Sequence, residues 1–206
     1  MDIEIISNEE ANEAKMKRLC DRAGGVVSML LNSFKTPKGI DIKLALLFAS
    51  GLAGVACHQA VIADEGEFQI AETNDGKRFY FGEDINKYLF ENETSIYSFC
   101  NALGGIDQAQ LVDMVGQITG SINNDSRMIW NLTSESVYKH IMECWDKNFE
   151  AMILANCEKP SEWPILIGIA LQNIMLEAGK AAPKEEVARM AMECVIKISM
   201  MRDDSI

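Results

Sequence analysis

The chain has 206 residues, 48% of them hydrophobic, and carries 19 Lys and Arg against 31 Asp and Glu, a formal net charge of −12. That length suits one domain that buries a core without metal or disulfide support, and the acidity excludes the cationic surface that nucleic acid or an anionic membrane would need. The acidic start, Met1 to Glu10, has no basic stretch ahead of a long apolar one, and none of the six Cys forms a C-x-x-C pair, so a cytoplasmic protein with reduced thiols and no signal peptide is expected.

In chain order, residues 1–7 alternate apolar and acidic side chains and predict an edge strand or a loose arm. Asn8 with Glu9 and Glu10 predicts the start of a helix over 9–33. Its apolar side is Ala23, Val26, Val27, Leu30, Leu31 and Phe34, and Gly24-Gly25 weaken it midway. Thr36-Pro-Lys-Gly39 predicts a turn, after which Asp41 caps the next helix. That helix contains Leu44–Ile62, LALLFASGLAGVACHQAVI, the most apolar run in the chain. Ala45, Ala49, Ala53, Ala56 and Ala60 line one face at helical spacing, while Leu44, Leu47, Phe48, Leu52 and Val55 fill the other directions. A helix apolar nearly all round is buried. Lys43 and His58-Gln59 bound the run short of the ~20 apolar residues of a membrane span, so a core helix is expected. Gly51 and Gly54 each cost ~1 kcal/mol in a helix interior, which predicts close approach of another backbone.

Residues 67–82 give the clear β signal: two strand-like runs flank Asn74-Asp-Gly76. A three-residue loop with Gly76 left-handed would set Glu72 across from Arg78. Phe79, Tyr80 and Phe81 cannot all point to one side of a strand, so these rings are the candidate dimer surface unless helices cover both sides. Short helices follow over 82–90 and 94–103, the second capped by Thr94 or Ser95 and stopped by Gly104-Gly105. Asp107 starts another over 108–118, and a polar break runs from Gly120 to Asp125. Thr133 or Ser134 caps an amphipathic helix to Asn156, with Val137, Ile141, Trp145, Phe149, Met152 and Ile153 at spacings near four. On it His140 and Cys144 stand one turn apart, but a metal site needs three or four protein ligands and the only other His is His58. No metal or cofactor is expected. Ser161 and Pro164 open a helix that Gly179 closes. Ala182-Pro183 opens the last one, over 184–201, and the tail from Arg202 to Ile206 is expected to fray.

One pattern occurs twice. Leu52-Ala-Gly-Val-Ala-Cys-His-Gln-Ala-Val61 aligns with Leu166-Ile-Gly-Ile-Ala-Leu-Gln-Asn-Ile-Met175, so His58-Gln59 falls on Gln172-Asn173. Read functionally, two facing helices present His58, Gln59, Gln172 and Asn173 to a shared pocket near Trp163. Read structurally, these side chains hydrogen-bond to nearby backbone, as buried polar groups normally do.

Together these elements predict a mainly α fold: a single-domain multi-helix bundle over 1–206, built around a buried small-residue helix, with one β-hairpin insertion at about 67–82. Phe48–Gln59, Asp75–Asn86 and Glu162–Gln172 resemble an uncharacterised bacterial family with an LAGFA–Q helix, a DG–YFGD–N hairpin and an EWP–GLA–Q helix. The resemblance covers about a sixth of the chain. It implies that the three stretches form one unit, and it brings no activity or catalytic residues. No phosphate-binding loop, nucleophile elbow or H-E-x-x-H helix is present. The sequence therefore points to a non-enzymatic helical protein that self-associates, as a homodimer, through the hairpin or the small-residue helix. Two alternatives stand beside it: a small-molecule-binding protein or enzyme using the His58–Gln172 pocket, and an acidic inhibitor of a basic protein partner.

Overall fold

The structure is a computed structural model that describes residues 8–74, 76–120 and 134–202. Helix α1 spans Asn8–Ser33. A small ribbon, β1 Lys35–Thr36 paired with β2 Gly39–Ile40, then reverses the chain where a plain turn was expected. Helix α2 spans Ile42–Ala63, and the Asp41 carboxylate accepts the Leu44 N–H at 3.1 Å, as the sequence predicts. The hairpin pairs β3 Gln69–Glu72 with β4 Arg78–Phe81. Glu72 and Arg78 stand opposite each other at 3.0 Å, and Gly76 has φ +82°, the left-handed geometry expected of it.

Helix α3, Glu83–Asn86, continues into a π-helical turn over Lys87–Glu91. Helix α4, Ile96–Gly104, is capped by Ser95 and closed by left-handed Gly105 at φ +64°. Helix α5 is Gln108–Gly120. Its start is a reciprocal box in which Asp107 accepts the Gln110 N–H at 2.8 Å and Gln110 accepts the Asp107 N–H at 2.9 Å. Helix α6, Ser134–Cys144, leads through a π-helical turn, Trp145–Phe149, into α7, Glu150–Asn156. A 3₁₀ turn at Pro160–Glu162 precedes α8, Trp163–Ala178, and α9 is Lys184–Ser199. The fold is thus mainly α with a β-hairpin, and 75% helical.

Other features also differ from expectation. The helix expected over 134–156 carries the π turn because Val137, Ile141, Trp145, Phe149 and Ile153 recur every fourth residue. At 3.6 residues per turn such a stripe drifts by about 40° at each step. The wider π turn resets it, and all five side chains are buried. Ser161 does not cap α8, since it lies inside the 3₁₀ turn, and Gly179 ends that helix with φ −66°, without a left-handed cap. Arg202 does not fray: its guanidinium lies 5.5 Å from the centre of the Tyr80 ring. Of the break expected from Gly120 to Asp125, Gly120 is instead the last residue of α5; the rest of it, the arm at 1–7, the cap at Thr133 or Ser134, the cap role of the Asn8 side chain and the tail beyond Arg202 lie outside the described residues and side chains.

Helix α2 is the hub, packed chiefly against α8 and α9. It has the length and apolarity of a membrane span, yet 89% of that stretch is buried inside the fold. The alanine ridge has no exposure at all, so it is consumed by the protein's own core and leaves no small-residue face for a second copy. Gly54 admits α9: a Cβ there would stand 2.7 Å from Val195 O and 2.9 Å from Ser199 N. Gly168 admits α4, where a Cβ would meet the Phe99 ring at 2.5 Å. Helix α1 is tied across the bundle by Arg18, which donates to buried Glu162 at 2.7 Å and to Asn156 O at 3.2 Å. The Glu162 carboxylate also accepts the Glu158 N–H at 2.8 Å. Burial pushes its pKa up, but the Glu158 N–H and Arg18 outweigh that and hold it below the usual carboxylate range.

Candidate functional site

Four of the five residues singled out as a shared pocket meet separate partners. Imidazole Nδ1 of His58 lies 2.9 Å from Ser199 O at the end of α9. Gln172 Nε2 donates to Phe99 O of α4 at 3.3 Å, and Asn173 folds back to donate to Ile169 O of its own helix at 2.9 Å. Trp163 packs on Trp145 with ring centres 6.3 Å apart, and Gln59 is half-buried. No hydrogen bond or ring contact among the described residues joins any two of the five. The repeated pattern nevertheless has a repeated use. In each copy the glycine lets a neighbouring helix in, and the polar side chain one turn later ties that neighbour's backbone carbonyl: Gly54 with His58 on α9, Gly168 with Gln172 on α4.

His58 is 3% exposed. Its ring stacks on Phe68 at 4.5 Å and meets the Tyr80 ring edge-on at 5.6 Å. A carbonyl oxygen only accepts, so the bond to Ser199 O places the proton on Nδ1. Nε2 is then a bare acceptor, and among the described residues it is the buried side-chain N or O atom without a partner. Burial lowers the His58 pKa, and the Arg202 charge adds to the lowering against the raising effect of the Ser199 bond. The rings named as a dimer surface are partly spent in this cluster. Tyr80 is 4% exposed, and Phe79 and Phe81 are half-buried against the core.

An open apolar pocket of about 250 Å³ lies at the opposite end of α2. The end of α1 supplies Phe34, the first turns of α2 supply Leu44, Leu47 and Phe48, and α6 supplies Ser136, Val137 and His140. Phe34 and Phe48 pack at 5.4 Å, and the exposed His140 ring meets Phe48 edge-on at 5.8 Å. Leu44, expected to be buried with the rest of its helix, is 40% exposed at this mouth. The pocket escapes sequence reading because its three walls come from segments far apart in the chain. Its one available signal is an apolar helix whose first turn has no neighbour in the local sequence to cover it. A volume near 250 Å³ lies just under the ~300–1,000 Å³ of drug-sized ligand sites. Its lining is apolar apart from His140 and Ser136.

Elsewhere the chemistry is quiet. Among the described residues no group of three or more His, Cys, Asp or Glu could hold a metal. His140 and Cys144 stand one turn apart without a third ligand. Burial pushes the thiols of Cys100 and Cys194 up to about 12, and burial and then Glu162 push Cys157 to about 12, which keeps them from acting as thiolate nucleophiles. No family model matches this chain, and no characterised protein or solved structure matches it.

Proposed function

We propose that this chain is a non-enzymatic binding protein whose ligand is a small apolar molecule with one polar head, held in the pocket between α1, α2 and α6. The observation that carries the reading is the pocket itself: aromatic and branched walls, an open mouth at Leu44, and His140 with Ser136 as its polar groups. Among the described residues the buried His58 and Glu162 are tied to backbone or to Arg18, and the reading as a binding protein rests on the pocket. Six free cysteines support a reducing, cytoplasmic setting. The uncharacterised bacterial family resembled by the α2, hairpin and α8 stretches belongs to the same proposal and adds no activity.

Native mass spectrometry of protein purified from its own host, under gentle and denaturing conditions, tests this directly. A small mass retained only under gentle conditions, and lost in Leu44→Trp, which obstructs the mouth, is the expected result. No retained mass, together with no binding of indole as a probe at millimolar concentration, would overturn it.

A second reading, self-association as a homodimer, is favoured by one observation. Strand β3 pairs only with β4 among the described strands, and Ile70 on it is 56% exposed. An open edge of this kind can add a strand from a second copy. Under this reading sedimentation gives a dimer that Ile70→Lys converts to monomer; a monomer at high micromolar concentration rejects it.

A further inference from the structure

The hairpin and the end of α9 close over His58 together. Tyr80 N–H donates to Met200 O at 2.8 Å, His58 Nδ1–H donates to Ser199 O, and Arg202 lies over the Tyr80 ring. Residues 200–202, just past the last residue of α9, therefore form a strap along β4, and His58 sits beneath both strap and hairpin. We propose that His58 is a proton-operated latch: protonation at Nε2 releases the hairpin and the strap from the end of α2.

The reason lies in what Nε2 faces. As a neutral acceptor it forgoes one hydrogen bond among aromatic rings. As an N–H⁺ donor it would be a buried charge with no acceptor, a far costlier state. The groups set against it offer no relief among the described residues. Strand β4 presents the Tyr80 phenol ring, the segment before β3 presents Phe68, α9 presents the Ser199 carbonyl already in use, and the strap presents Arg202, a charge of the same sign. Bonding at Nδ1 survives protonation, so the strain falls on the cover and not on that contact. The cover is also the part least able to stand alone: two four-residue strands make a hairpin that is at best marginally stable away from a packing surface. Opening lets water reach Nε2, so below the ordinary imidazole range each opening takes up a proton. The imidazole thus acts as the pH sensor, and the hairpin with its strap is the element it biases.

Hydrogen exchange at the Tyr80 amide reads the latch, because that N–H is bonded to the strap. After correction for intrinsic exchange, the opening constant is expected to rise by up to about tenfold per pH unit below about pH 6.5, while amides in α2 and α8 stay flat. His58→Gln keeps a donor for Ser199 O, as Gln172 does for Phe99 O, and is expected to remove the pH dependence. His140→Gln, at the other histidine, is expected to leave it. A Tyr80 amide whose protection is unchanged from pH 7 to 5, or a slope that persists in His58→Gln, overturns the latch. Should His58→Gln fail to fold, an NMR titration of the wild-type imidazoles decides. Titration of His58 near its ordinary pKa with the Tyr80 amide still protected overturns the proposal, and titration that coincides with loss of protection supports it.

Discussion

Helices α2 and α8 carry the same ten-residue pattern, lie against each other, and turn it toward different neighbours. Helix α2 receives α9, the helix that follows α8, whereas α8 receives α4, a helix that follows α2. At Gly54 the incoming atoms are backbone, Val195 O and Ser199 N; at Gly168 they are the ring of Phe99 and the tip of Ile96. Backbone in a packed helix cannot step aside, and a half-buried ring can rotate. A glycine's importance is therefore set by what stands against it, and helix propensity alone, which treats both positions equally, misses this. The polar residues differ in the same way. Gln172 remains neutral at every pH, while His58 brings a titratable ring to the equivalent place.

The largest expected effect is at the rigid contact. Gly54→Ala should destabilise the fold by about 3 kcal/mol, the upper end for overpacking, read as a lower midpoint in urea with an unchanged slope. Next comes the entry to α8. Glu162→Gln weakens the charge-assisted bond from Arg18 and should cost about 2 kcal/mol. Its folded pKa lies below the ordinary value, so this contribution is complete above the usual carboxylate range and fades as pH falls through the lowered pKa; acid titration of both proteins should converge there. Gly168→Ala should cost about 1–2 kcal/mol, because Phe99 can move. A loss as large as that of Gly54→Ala would break the comparison outright. At the small end, Gly24 has open space around a would-be Cβ, so Gly24→Ala should stabilise the fold by up to about 1 kcal/mol in thermal or urea unfolding.

Local chemistry was readable from the residues. Asp41 and Ser95 cap their helices, Gly76 and Gly105 take left-handed φ, and Glu72 meets Arg78, because each rests on neighbours a few positions apart. The π turn at Trp145 was readable in principle from the strict spacing of four. The pairing of Gly54 with His58 was visible as a pattern, but not its partner, since Ser199 lies 141 positions from His58. The pocket and the strap stayed hidden for the same physical reason. Each is assembled from segments whose meeting depends on how whole helices cross, and side-chain periodicity says which face is buried without saying against what.

The placement of α2 also has a consequence in time. Its apolar surface is complete once Ala63 has been made, but α8 begins at Trp163 and α9 at Lys184. On the order of 100 residues must therefore be synthesised before its main neighbours exist, which at about 5–20 residues per second means a wait of roughly 5–20 s. Throughout that interval the nascent chain displays a 22-residue apolar helix with the look of a membrane span. The demand on the cell's chaperones, and the risk of capture by membrane-targeting machinery, are thus written into the order of the helices along the chain.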